Sequence, residues 1–187
     1  ATEVSTTWMP IGETPQTRAL DVPGAMLSME ALSQATPGEL KSGLEPLAAG
    51  YRAWLDQQEA AAKALPARLR KTADEVLWNA KLAHDRLADG VNHITTDDEA
   101  ARCFQFMNRV MRDQRVASQV AAARASDASM TIAQAREEVA AKGASAATWR
   151  PFQLAFILMQ LGALTDPAAS RRSEDFSARV ELLFFPT

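Results

Sequence analysis

Cysteine is almost missing. The 187 residues contain one, Cys103, which rules out an intrachain disulfide and any metal site built from several thiolates. Histidine is nearly as scarce, and the two present, His84 and His93, stand beside no carboxylate pattern resembling a metal triad. Aromatic residues make up only 6% of the chain, so each one stands out where it occurs. Positive charge is not in excess: 20 Lys and Arg against 23 Asp and Glu give a formal net charge of −3. That balance excludes a chain-wide polybasic surface and leaves any nucleic-acid contact to a local patch. No apolar run approaches the roughly 20 residues of a membrane-spanning helix, and the longest, Leu154 to Leu164, is interrupted by Gln160. The N-terminus has neither the basic nor the apolar region of a secretory leader. Together these absences predict a protein of the reducing cytoplasm.

Apolar residues make up 47% of the sequence and charged residues 23%, the usage of a chain that buries a sizeable core. Residues 1–27 carry Pro10, Gly12, Pro15, Pro23 and Gly24 with no sustained period, and read as an extended arm or linker in which Trp8, Met9 and Ile11 are available as anchors. From Ser28 the pattern turns helical. Ser28 caps a short helix through Gln34, and Thr36-Pro37-Gly38-Glu39 places a cap, a first-turn proline and a reciprocating glutamate in order. Pro46 predicts a break, with the longer helix restarting near it and running to about Leu65. After Pro66, the stripe Leu69, Ala73, Val76, Ala80, Ala83 and Leu87 alternates spacings of four and three, and Gly90 predicts its end, with His93-Ile94-Thr95 as connection.

Thr96-Asp97-Asp98-Glu99 repeats the capping pattern and opens a helix expected to bury Ala100, Cys103, Phe104, Met107, Val110 and Met111. The same acids would suit a cation, but helix capping and the dipole account for them more simply. Arg109, Arg112, Arg115 and Arg124 are candidates for a local stripe against DNA phosphates. Cys103 reads as a small core hydrophobe, and Trp54, Trp78, Phe104 and Phe106 as core or partner-facing aromatics. A further helical stretch runs from Thr131 to Lys142, its charged part Gln134 to Glu138 is expected to be an exposed or mobile helix, and the small residues of 143–148 read as a flexible linker. The body, 28–142, is therefore an antiparallel helical array.

The segment 149–187 has a different grammar. It opens Trp149-Arg150-Pro151-Phe152-Gln153, continues as an apolar helix, and ends in Val180-Glu181-Leu182-Leu183-Phe184-Phe185-Pro186-Thr187, which reads as a strand buried on both faces. By itself Arg150 to Gln153 fits a helix start, with Pro151 in the first turn and Gln153 solvated. It also fits adenine recognition, since an amide offers both a donor and an acceptor to the polar edge of the base. An uncovered terminal strand of this kind would be an aggregation-prone edge, so chain beyond Thr187 or another molecule is expected to cover it.

Taken with Leu27 to Leu32, Leu44 to Leu47, Tyr51-Arg52-Ala53-Trp54 and Phe104 to Met111, these two motifs resemble the superfamily 2 helicase subunits, DrmA, of the bacterial DISARM anti-phage system, over residues 27–187. That resemblance implies a mainly α chain: a helical accessory domain followed by the first helix and strand of an incomplete α/β RecA-like motor domain. It implies that Arg150, Phe152 and Gln153 face the adenine of ATP, that Pro186 and Thr187 lead into a Gly-Gly-Gly-Lys-Thr phosphate loop, and that Mg2+ accompanies the nucleotide. It further implies DNA as a partner, alongside a DUF1998-bearing subunit and a methyltransferase. The segment to Thr187 has no catalytic residue of its own under this reading and is expected to hydrolyse no ATP alone. The alternative is a non-enzymatic helical interaction module whose C-terminal strand completes a partner's sheet.

Overall fold

The protein is described by a computed structural model covering residues 12, 21–166 and 168. Among the described residues, six α-helices and one 3-10 turn follow in order: α1 (Met29–Gln34), α2 (Pro37–Ala62), α3 (Ala67–Thr96), α4 (Asp98–Ser126), α5 (Ile132–Ala141), the turn Gly143–Ala146, and α6 (Pro151–Thr165). The fold is thus mainly α. Among the described residues there is no strand, only an isolated antiparallel bridge between Ser28 and Thr148. The strand expected at 180–185 lies outside the described residues.

The helix starts are those that side-chain chemistry dictates. Ser28 Oγ accepts from the Ala31 N–H at 3.3 Å, and Thr36 and Glu39 form a reciprocal capping box, with the Thr36 N–H 2.8 Å from Glu39 Oε2. Asp97, not Thr96, caps α4, accepting from the N–H groups of Glu99 and Ala100. Thr131 and Gln134 repeat the box at the start of α5. Each satisfies backbone donors that have no partner within the helix.

Two expected breaks do not occur. α2 runs unbroken through Pro46, because Leu40, Leu44 and Leu47 are buried on both sides of it and their burial outweighs one lost backbone bond. The proline ring lies against Gly24, whose φ of 81° only glycine adopts at little cost. α3 runs through Gly90, where the missing side chain serves close packing instead of termination. A Cβ there would lie 2.6 Å from the carbonyl carbon of Leu158 and closer still to its oxygen, so α6 crosses α3 backbone against backbone.

The core gathers Leu32, Leu40, Leu44, Leu47, Leu87, Val91, Ile94, Phe104, Trp149, Leu154 and Leu158 into one cluster. α2 packs on α3, α6 on α3, α1 on α4 and α5 on α4. Gln105 Nε2 donates to the Ala35 carbonyl at 2.7 Å, and Arg112 pairs with Glu30, which ties α4 to α1 at two levels. α4 turns Ala100, Ala101, Phe104 and Asn108 inward, so Cys103 and Val110 are exposed instead of buried as expected.

The segment 143–148, expected to be a flexible linker, is packed. Ala146 and Ala147 are buried, the Met29 N–H donates to Ala147 O at 3.0 Å, and the Trp149 N–H donates to Leu27 O at 2.9 Å. Residues 21–27, expected as the end of a free arm, turn at Pro23-Gly24 and are held: the Ala25 N–H donates to Val22 O at 3.0 Å, Val22, Ala25, Met26 and Leu27 pack on the core, and the Met26 N–H donates to Gly43 O at 2.7 Å. By contrast, no residue from 56 to 86 is buried, so the far end of the α2–α3 hairpin stands clear of the core. The stripe that buries Leu87, Val91 and Ile94 continues outward there, with Val76 60% exposed.

Candidate functional site

The start of α6 is fixed from two directions before any candidate residue is reached. Trp149 is buried and its Nε1–H donates to Asn108 Oδ1 at 2.8 Å. Asn108 is itself fully buried and spends its amide on the Phe104 carbonyl at 2.9 Å. A buried amide and a buried indole that satisfy each other define one register for the chain between them. Arg150 follows as the helix cap, Pro151 as the first helical residue, and Gln153 as the third.

Arg150 and Gln153 are exposed, and Phe152 is half-buried. The side-chain oxygen of Gln153 accepts the Arg150 N–H at 3.2 Å, a helix-capping bond. The amide N–H2 of Gln153 and the second lone pair of its oxygen remain its means of meeting a ligand. The three residues therefore do not converge on one point: Phe152 turns into a groove, whereas Arg150 and Gln153 lie outside its lining. Pro186 and Thr187 lie outside the described residues.

The groove has a volume of about 470 Å³ and runs between α2, α3 and the first half of α6. Leu47, Ala83, Leu87, Ala155 and Met159 form its floor and sides, and Tyr51, Trp54 and Phe152 supply aromatic rings. Tyr51 and Trp54 stack with ring centroids 5.5 Å apart and planes within 8° of parallel, a contact made possible by their spacing on one helical face. Burial pushes the Tyr51 phenol up from its ordinary value. Among the described residues, Asp21 is the one charged residue on the lining. Its size and apolar character are those of a small-molecule site.

Tyr51, Trp54 and Asp21 were not singled out as site residues by the sequence. The signal available was the lone tyrosine of the chain placed three residues before a tryptophan, in a sequence poor in aromatics. That signal does not reveal that α6 would lie alongside.

The other candidates resolve into structural roles. His93 Nε2 lies 2.9 Å from Thr165 Oγ1, joining the ends of α3 and α6, and His84 Nδ1 lies 3.0 Å from Asp85. Among the described residues no cluster of three or more His, Cys, Asp or Glu is placed to hold a metal ion. The arginines expected to form a stripe are partly committed: Arg112 to Glu30 and Asp113, Arg109 over the Phe106 ring at 5.3 Å, and Arg124 to the Met130 carbonyl at 3.3 Å. No described helix is long and apolar enough to cross a membrane. A scan against protein-family models finds no match to this chain, and a search of curated proteins finds no matching relative.

Proposed function

We propose that this chain is the N-terminal part of an ATP-dependent, DNA-associated superfamily 2 helicase of the DISARM anti-phage type, in which a cytoplasmic helical body is fused to the start of a RecA-like motor. The observation that carries the reading is Trp149-Arg150-Pro151-Phe152-Gln153 opening α6, with Phe152 on the lining of an apolar groove of about 470 Å³.

Of the three residues that the resemblance assigns to the base, Phe152 lines the groove, while Arg150 and Gln153 stand outside it at the helix start. Phe152 offers an apolar ring for the adenine face, Gln153 offers amide N–H donors, and Arg150 offers a cation beside the helix start. The phosphate side of the reading falls to Pro186 and Thr187 and to chain beyond them. When bound with Mg2+, ATP supplies the phosphoryl transfer that drives movement on DNA. The part of the present helices is to hold the base side in one place, through the Asn108–Trp149 bond and the backbone contact between Gly90 and Leu158. DNA and a DUF1998-bearing subunit are the partners that follow from the same reading.

The decisive test is the coding sequence after Thr187. A Gly-Gly-Gly-Lys-Thr continuation is expected, and its absence would remove the helicase reading. At the bench, purified 1–187 protein is expected to hydrolyse no ATP, and turnover abolished by Gln153→Ala would contradict that.

A second reading, a non-enzymatic helical interaction module, is favoured by one observation. Leu69, Val76, Trp78 and Leu82 are all exposed on α3 where the hairpin leaves the core. A soluble monomer that binds no hydrophobic dye would count against it.

A further inference from the structure

We propose that the outer face of α3 is a self-association surface, on which the hairpins of two copies of this chain pair antiparallel about Trp78.

The face is set by spacing. Lys71, Asp74, Trp78, Lys81 and Asp85 alternate steps of three and four along α3, so they share one side of the helix. All five are exposed, Trp78 by 61%, and Leu82 beside it by 37%. Val76, two residues before Trp78, lies about 200° around the helix and belongs to another side.

What selects a second copy is the order of charge. Along the face it runs positive, negative, tryptophan, positive, negative. Turned end for end, the same face runs negative, positive, tryptophan, negative, positive. An antiparallel copy centred on Trp78 therefore sets Lys71 against the partner's Asp85 and Asp74 against the partner's Lys81, and the two-fold axis repeats both pairs. A parallel copy would set like charge on like. Among the described residues, Lys71, Asp74 and Lys81 take part in no salt bridge within the chain. Asp85 meets His84 Nδ1 at 3.0 Å through one carboxylate oxygen and keeps the other. Leu82 and Glu75 lie at the edge of the seam, where Leu82 adds apolar surface and Glu75 keeps its carboxylate in water.

The body leaves space for this pairing. No residue from 56 to 86 is buried, and Asp89 and Asn92, further along the same face, are exposed, so the partner's hairpin end has room to lie there. Lys71 to Asp85 spans about 21 Å of helix. So short a seam, with charge at most of its positions, makes the association weak and reversible.

The test is sedimentation equilibrium of the full chain over a roughly hundredfold range of concentration. A monomer–dimer equilibrium is expected, weakened several-fold by high salt. Trp78→Ala is expected to weaken it about tenfold or more, as the central aromatic of a small interface. Lys71→Glu is expected to weaken it several-fold, and adding Asp85→Lys to that variant to restore it, because the exchanged charges again face their opposites only in the antiparallel arrangement. Val76→Ser, on another side of α3, is expected to change nothing. Far-UV circular dichroism melts establish that each variant is folded. A dimer that Trp78→Ala leaves intact, or that Val76→Ser weakens as much, uses a different surface and refutes the proposal. Failure of the charge exchange to restore the dimer refutes the antiparallel register. A chain that is monomeric at every concentration overturns the inference outright, whether the face is then bare, covered by another segment of the same chain, or used by a different protein.

Discussion

At the scale of single residues, the most consequential pair is Asn108 and Trp149. Both are buried, they lie 41 positions apart, and each satisfies the other's polar group. Replacing Asn108 by Leu strands the indole N–H in the core, and we expect a loss of about 1–3 kcal/mol in urea unfolding. Trp149→Phe strands the amide oxygen and adds a packing loss. The double variant is expected to be less destabilised than the sum of the two, because neither stranded group then remains without its cause. Gly90 makes a sharper test, since two principles oppose each other there. Alanine is favoured over glycine within a helix by up to about 1 kcal/mol. The added methyl meets the Leu158 backbone, which cannot swing aside as a flexible side chain can, and overpacking of this kind costs about 1–3 kcal/mol. Gly90→Ala is therefore expected to lower the urea midpoint without changing the slope.

At the scale of elements, α4 and the α2–α3 hairpin behave differently. The start of α4 depends on a charged cap: backbone N–H bonds, first from Ala100 and also from Glu99, hold the Asp97 carboxyl below its ordinary value. Since the folded value is the lower one, the stabilisation is complete above the unfolded Asp value near 4. It is lost as the pH falls through the folded value, where the unfolded chain already binds the proton. Asp97→Asn keeps a side-chain acceptor but no titration, so the acid limb of the stability profile is expected to flatten relative to wild type. Melts between pH 2 and 6 read this directly. The hairpin, with nothing buried from 56 to 86, has only its local helical bonds to protect its amides. Hydrogen exchange is expected to be faster at 56–82 than at 87–104, and equal protection in both would mean the exposed stripe at Leu69 and Val76 is covered in solution.

At the scale of the whole molecule, the core does not respect the composition boundary at 143–148. Trp149, Leu154 and Leu158 share a cluster with Met29, Leu44 and Ile94, and the turn before them is hydrogen-bonded to residues 27 and 29. A chain ending at Lys142 would be a stable helical array if 143–148 were a free tether. Given this packing, it is expected to melt without a cooperative transition and to bind hydrophobic dye, because removing α6 opens the α3 surface around Leu87, Gly90 and Val91.

The sequence by itself determined the helical class and the helix starts, because caps are local: Ser28, Thr36, Asp97 and Thr131 act on backbone groups within three residues of themselves. It also located Arg150 to Gln153 at a helix entrance. The tertiary structure decided what local rules could not. Pro46 and Gly90 read as punctuation until the packing around them is known, since burial on both sides can outweigh a missing bond and a missing side chain can serve a crossing helix. Cys103 and Val110 have the right chemistry for a core, but one helical face admits only the residues in phase with Phe104 and Asn108. The groove was beyond sequence reasoning for the same reason. Tyr51 and Trp54 line one groove with Phe152 only because α2 and α6 both pack on α3, and that long-range arrangement is fixed by mutual burial, which no single stretch of sequence encodes.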